Sequence, residues 1–436
     1  MNLFRVITLA ACLITVFSVN GQDSSLLRSY NFEIGSRPNI DQGATTVFSA
    51  TSLLFDQINQ KIGNIEGSGL RGTGRVLNYT LVQLYLGGFL YGTFNHEYFG
   101  HGARAREFDI GGSYEYNFPA VGGDFVYTVD HSTSPLRRQM ISAGGPEAGT
   151  VMAYKATQQL YSQDEVGSYI GQYLLTGKLF DGIFYINADV DPFMDNPNQY
   201  YSDNASYFRG NPVPDDPLSY LIALTESYGY YDAFVDSDAT WLQEQPDMSV
   251  HTDNEFITDQ NDRLKKAFTL SAIDPSLLYF LYGSYMYLAK GKSFIKPIMP
   301  RFGEISVMPS IRAAYGELGA ENYFDMYFKG ENIPPFNVYY RRGGNLFHHI
   351  TGVGIDVHGL KIEDFNLGIQ LDYWQNGRED NSNFNTAIKS TYSINNLLVS
   401  GSIGYKSKGV LIGKPLNSGF YGSVGLGFQV NYPNQN

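Results

Sequence analysis

The spacing of apolar residues changes at about Pro300, and this change constrains the fold more than any other feature. Before it, apolar residues mostly recur at helical spacing. After it they alternate with small or polar residues, as in Phe365–Tyr373, where the odd positions are Phe, Leu, Ile, Leu and Tyr. A period of two indicates strands with one apolar face. The sequence therefore predicts an α+β fold, with a mainly helical domain at 22–299 and an antiparallel β domain at 300–436.

Eight strand candidates follow one another in the β domain, and eight strands of roughly ten residues make the smallest membrane β-barrel. The pattern resembles an outer-membrane β-barrel, so we expect an eight-stranded barrel there. A soluble antiparallel sheet whose apolar face packs on the helical half is the alternative. The candidates are Ile305–Tyr315, Asn322–Phe328, Phe336–Tyr340, Phe347–Val357, Phe365–Tyr373, Phe384–Ile394, Leu397–Tyr405 and Gly419–Val430.

The composition agrees with a membrane-associated β structure. Charged residues make up 17% of the 436 residues, against about 25% in ordinary soluble domains. The chain also has 47 Gly, 34 Tyr and 29 Phe. A net charge of −13 argues against a nucleic-acid partner, which needs a basic surface. Nothing in the sequence indicates the oligomeric state.

Residues 1–21 have the pattern of a secretory signal peptide. Arg5 precedes an apolar run from Val6 to Val19, and small residues follow before Gln22. We therefore expect an exported protein of a Gram-negative bacterium, in the outer membrane or the periplasm. A lipoprotein processing site at Cys12 is the alternative. Cys12 is the only cysteine, so after cleavage near Gly21 any metal must be held by histidine and carboxylate.

The segment Asn95-His96-Glu97-Tyr98-Phe99-Gly100-His101-Gly102 carries the clearest chemical signal. Two histidines four positions apart on one helix face, with a glutamate directly after the first, are typical of zinc peptidases. Here the spacing is five, which on an ideal helix leaves the rings about 140° apart. A π-bulge would realign them, and such bulges favour functional sites. Gly100 tolerates the backbone that a bulge needs.

Two imidazoles and one carboxylate suit a catalytic zinc site, because they leave a fourth position open. We expect His96 and His101 to bind Zn²⁺ and Glu97 to act as the catalytic base. A helix starts at Ser134-Pro135, and Gly144-Gly145-Pro146 is expected to interrupt it. The second part then begins with Glu147 in its first turn, where it is the candidate third metal ligand. Alternative third ligands are Glu226, Glu107 and Asp109.

The string His-Glu-x-x-Gly-His is similar to the motif of the dipeptidyl peptidase III family, over these six residues only. The resemblance implies that His96 and His101 bind zinc and that Glu97 activates water. In that family a further glutamate on a second helix completes the site, and the nearest candidate here is Glu147. The layout also resembles that of site-2-type membrane proteases, in which a Gly-Pro segment like Gly145-Pro146 follows the His-Glu helix.

These features together predict an exported zinc-dependent peptidase that hydrolyses peptide bonds in a peptide or protein substrate with a metal-activated water. Two alternatives stay open. One is a non-enzymatic outer-membrane protein with a helical plug or partner-binding domain, and the other is a degenerate protease fold kept for binding. The polar insertion Asn187–Asp216 is expected to form a solvated loop.

Overall fold

The computed structural model describes residues 25–35, 37–117, 122–127, 133–196, 216–228, 255–379 and 381–433. Its architecture is α+β, as the change of period predicts: helices make up most of the N-terminal half and one large antiparallel sheet the C-terminal half. The predicted signal peptide at 1–21 lies outside the described residues, as does most of the polar insertion.

The helices begin after one N-terminal strand and alternate between α and π geometry. Helix α1 starts with a complete capping box, in which Asn39 and Gln42 bond to each other's backbone. Among the helices of the described ranges, none combines the length and apolar character needed to cross a membrane. The helices are α1 (Ile40–Gly63), α2 (Ser68–Leu77), π1 (Asn78–Leu86), π2 (Gly88–His101), α3 (Gly102–Glu107), α4 (Pro135–Ser162), α5 (Ile170–Leu175), π3 (Thr176–Phe184), α6 (Tyr185–Asp195), α7 (Asp216–Ser227), α8 (Glu255–Ala272) and α9 (Leu278–Leu288).

The large sheet has ten antiparallel strands in the order β1-β14-β13-β12-β11-β10-β9-β8-β7-β6. All eight strands predicted from the period-two pattern are present as β7 to β14. The strands are β1 (Ser25–Ile34), β6 (Arg301–Phe302), β7 (Ile305–Gly316), β8 (Gly319–Gly330), β9 (Phe336–Gly344), β10 (His349–Ile362), β11 (Phe365–Asn376), β12 (Asn381–Ile394), β13 (Leu397–Lys406) and β14 (Gly419–Pro433). Two small sheets pair β2 (Gly112–Tyr116) with β3 (Gly123–Tyr127) and β4 (Val166–Gly167) with β5 (Phe294–Ile295).

The prediction of a closed eight-stranded barrel is wrong in strand number and in closure. In the described part of the chain, the sheet has ten strands and its two ends do not pair with each other. Side chains from the helical half bond to both edges instead. Ser49 and Thr46 of α1 accept the amide protons of Asn31 and Glu33 on β1, at 3.1 and 3.0 Å.

Strand β6 pairs with only two residues of β7, and the rest of the β7 edge is covered in the same way. The amide of Ile311 donates to the Asp274 carboxylate, and its carbonyl accepts from Lys178 at 3.1 Å. The Ala313 carbonyl accepts from Thr150 of α4 at 3.2 Å. Unpaired strand edges readily pair with other chains, and a covering helix is one of the ways in which proteins protect them.

Helix α4 crosses the inner face of the sheet and so positions the site. Near its N-terminus, the Gln139 side chain donates to the carbonyls of Gly316 and Glu317 at the β7–β8 turn, both at 3.1 Å. Near its C-terminus, the ring of Tyr161 lies 5.1 Å from that of Tyr327 on β8. Residues that contact the N-terminal part of α4 therefore lie at the end of the sheet where β7 turns into β8.

Candidate metal centre

The two motif histidines lie side by side because the helix that carries them is a π-helix. In π2 the backbone hydrogen bonds run from i to i+5, so residues five apart lie on one face. His96 and His101 are buried, and their ring centroids are 4.9 Å apart. The distortion that the five-residue spacing predicts is therefore present over the whole Gly88–His101 segment.

The third member of the cluster is a carboxylate outside the candidates that the sequence suggests. Asp216, the first residue of α7, places its Oδ2 atom 2.8 Å from His96 Nε2 and 2.9 Å from His101 Nε2. Among the described residues, the ligand atoms of these three side chains all lie within 4.8 Å of one another. The hydroxyl of Tyr185 donates to the same Oδ2 at 3.1 Å and holds it in place.

The outer nitrogen of each ring faces an acceptor. His101 Nδ1 lies 2.7 Å from the Ile141 carbonyl oxygen, which can only accept, so Nδ1 carries a proton. His96 Nδ1 lies 3.8 Å from the carboxylate of Asp181. Metal-binding histidines commonly present one nitrogen to a carbonyl or carboxylate, which fixes the tautomer and leaves the other nitrogen for the metal.

This tautomer has a consequence for the contact between His101 and Asp216. In the neutral ring, Nε2 carries a lone pair that points at the carboxylate oxygen, so two acceptors would face each other at 2.9 Å. A cation between them, either a metal ion or a proton on the ring, turns this contact into an attraction. The cluster therefore has the donor set and the electrostatics of a cation site.

The pKa values of the three groups shift in the directions expected for a cluster of opposite charges. Burial by itself lowers the pKa of both histidines, but nearby carboxylates outweigh this effect, so both pKa values are raised. For His96 these carboxylates are chiefly Asp181 and Asp216. For His101 the main one is Asp216. Burial raises the pKa of Asp216, and the two imidazoles more than reverse this and hold it well below its usual range.

Gly145 of α4 leaves the space between the two imidazoles open. A β-carbon built on Gly145 would lie 2.3 Å from the Nε2 atoms of both His96 and His101. Gly100 and Gly144 let the backbones of π2 and α4 approach, since a β-carbon on Gly100 would lie 2.6 Å from the Gly144 carbonyl oxygen. The open space and the donor set both fit a metal ion held by two nitrogens and one oxygen.

Glu97 is buried next to the cluster, and its neighbours on one side belong to the β2–β3 hairpin. Burial raises the pKa of its carboxyl, and the imidazoles of His96 and His101 offset part of this rise. Burial and then the Glu97 carboxylate raise the pKa of Tyr116 on β2. A raised carboxyl pKa suits a group that must accept a proton and then donate it.

Glu147, the expected third ligand, binds another partner. Helix α4 is continuous through Gly144-Gly145-Pro146, so Glu147 lies in mid-helix and not in a first turn. Its carboxylate forms a buried ion pair with Arg104 and accepts the Gly413 amide at 2.7 Å. The alternative ligands are also paired elsewhere: Glu107 with Arg104 at 3.0 Å, Glu226 with Arg138 at 2.7 Å, and Asp109 with Arg37 at 2.9 Å.

The pairing with Arg104 gives Glu147 a measurable structural role. Removing one partner of a buried ion pair costs about 3–5 kcal/mol, and the lower end applies here because Glu107 also contacts Arg104. We expect Glu147→Gln to lower the free energy of unfolding by about 3 kcal/mol in denaturant titrations and to leave the zinc content unchanged. The exposed Glu255→Gln is the control. Zinc loss from folded Glu147→Gln protein would contradict this role.

Asp216 was missed because it ends the polar insertion that we assigned to a loop. Its signal is the dipeptide Asp216-Pro217, a residue that favours the helix N-cap followed by a proline. The same pattern correctly marks Ser134-Pro135 and Asp274-Pro275, where helical segments begin at the proline.

No protein-family model, curated protein or solved structure matches this chain.

Proposed function

We propose that this protein is a zinc-dependent peptidase in which His96, His101 and Asp216 hold the metal and Glu97 acts as the general base. The observation that carries the proposal is the convergence of both Nε2 atoms on one carboxylate oxygen, at 2.8 and 2.9 Å. The proposal keeps Glu97 in the role expected from the sequence and replaces Glu147 by Asp216 as the third ligand.

The residues divide the work of hydrolysis between them. Bound zinc supplies Lewis-acid chemistry, which makes water a nucleophile near neutral pH and polarises a carbonyl group. Glu97 takes a proton from the attacking water as the new C–O bond forms. It then gives that proton to the leaving amine as the C–N bond breaks, so the products are a carboxylic acid and an amine. Ile141 and Tyr185 keep His101 and Asp216 in position.

We place this activity outside the cytoplasm of a Gram-negative bacterium, in the outer membrane or the periplasm. The support is the signal-peptide pattern at 1–21. The expected partner is a peptide or protein substrate, because a zinc site with an adjacent glutamate is the arrangement of metallopeptidases. The second candidate is a non-enzymatic membrane protein with a helical plug, which the packing of α4 on the inner face of the sheet favours.

Removing the metal tests the proposal and separates the two candidates. We expect purified protein to cleave a mixture of peptides, to lose this activity after treatment with a chelator, and to regain it when zinc is added back, because the base alone cannot activate water sufficiently. New amine groups report each cleavage. His101→Ala protein purified in the same way controls for contaminating peptidases. Absence of cleavage by zinc-loaded protein would favour the plug protein.

A further inference from the structure

The outer face of the large sheet, which points away from the helices, is apolar and exposed on consecutive strands. Six such residues come one from each of β9 to β14, and 37% to 64% of their surface is exposed. They alternate along each strand with buried residues, so the exposure belongs to one face of the sheet. These residues are Val338, Val353, Leu371, Ile388, Ile403 and Val424.

The opposite, inner face carries buried charges and amides. Arg312 pairs with Asp325 at 2.7 Å and Arg341 with Glu321 at 2.8 Å, and all four side chains are buried. Asn385 donates to a carboxylate on the neighbouring strand. A soluble antiparallel sheet has its apolar face inward and its polar face in water. This sheet is the reverse, which is the arrangement of strands that face lipid.

The apolar surface continues beyond the β7 edge. Phe302 on β6 and Ile298 just before it are 71% and 64% exposed. Ile298 is bonded through its backbone to the Tyr279 hydroxyl on α9, at 2.6 and 2.9 Å. On α9 itself, Leu281 is 66% exposed. Exposed apolar residues on consecutive strands, unlike single scattered ones, indicate an interaction surface.

We propose that the outer face of β9–β14 contacts the acyl chains of a lipid bilayer. The strands contain 9 to 15 residues, and about 9–11 tilted residues cross the hydrocarbon layer. Side chains of the helical half bond to backbone groups of Asn31 and Glu33 on β1 and of Ile311 and Ala313 on β7. An unpaired polar backbone group is not tolerated in the hydrocarbon layer, so this bonding suits an edge near lipid. The inference is independent of the proposed peptidase activity, because it uses no residue of the metal centre.

Depth-dependent quenching tests this inference. Single cysteines are placed on a Cys12→Ser background at Ile388, in the middle of β12, and at two exposed connections, Asn396 and Lys408. Each full-length variant is labelled with a bimane fluorophore and reconstituted in phosphatidylcholine vesicles that carry bromine at known acyl positions. We expect bromine deep in the chains to quench the label at Ile388 severalfold more than the labels at either connection.

Two outcomes would overturn the inference. Equal quenching at all three positions would mean that the sheet does not enter the hydrocarbon layer. If the protein instead formed a defined oligomer in vesicle-free buffer, with its labels shielded from solvent, the apolar face would be assigned to contact with a second copy of this chain. Val353→Cys, in β10, provides an independent position should Ile388→Cys fail to fold.

Discussion

Replacing Glu97 by glutamine is expected to reduce peptide hydrolysis by about 100- to 10,000-fold while the zinc content stays at the wild-type level. Glutamine has nearly the same size and keeps one carbonyl oxygen, but it cannot accept the proton of the attacking water at neutral pH. Because Glu97 is outside the group of three ligand residues, the metal should remain. Cleavage rate and zinc content, measured on the same preparation, report the two properties separately.

A matched control for Glu97→Gln is Glu115→Gln, the same change at an exposed position on the neighbouring hairpin strand β2. It should leave both the cleavage rate and the zinc content unchanged. Hydrolysis at the wild-type rate in Glu97→Gln would remove this residue from the role of base. Loss of zinc in the same variant would instead make Glu97 part of the metal binding.

Adding a single methyl group at Gly145 is expected to abolish zinc binding. The new β-carbon would occupy the space between the imidazoles, 2.3 Å from both Nε2 atoms, so at least one ring must turn away. Two correctly oriented nitrogens are required for the proposed site, and a displaced ring removes one of them. Gly145→Ala should therefore lose zinc and hydrolysis together while its circular dichroism spectrum stays close to that of the wild type.

The matched control for Gly145→Ala is Gly92→Ala in π2, the helix that carries both histidines. A β-carbon at Gly92 meets only the Thr176 methyl at 3.6 Å, an ordinary van der Waals contact. This variant should bind zinc normally. If Gly145→Ala retained the full zinc content, the ion would not lie between the two Nε2 atoms, and the proposed ligand set would be wrong.

The sequence predicts the strands of the C-terminal half well because buried and exposed residues alternate along several of them, most regularly along β9 and β11. It does not predict β1, because Ser25–Ile34 stands alone before a helical region and its partner β14 is about 400 positions away in the chain. Closure also depends on distant contacts. The edge bonds from α1 to β1 and from Asp274 to β7 have no signature in the local pattern.

The site is partly predictable for a similar reason. The five-residue spacing of His96 and His101 requires a π distortion if the two rings are to share a ligand, and π2 has this geometry. The third ligand depends on the tertiary fold, which brings Asp216 to His101 and His96 from 115 and 120 positions away. The expected break at Gly144-Gly145-Pro146 is absent, because these glycines allow close packing against π2 and the helix continues through Pro146.

The zinc content of the purified protein tests the proposed metal centre most directly. After dialysis, wild-type protein should contain about one zinc ion per chain. Each of His96→Ala, His101→Ala and Asp216→Ala should contain almost none. His349→Ala, which removes an exposed imidazole on β10, should retain the wild-type amount. Equal zinc content in all five proteins, or none in the wild type after incubation with zinc, would contradict the ligand set of His96, His101 and Asp216.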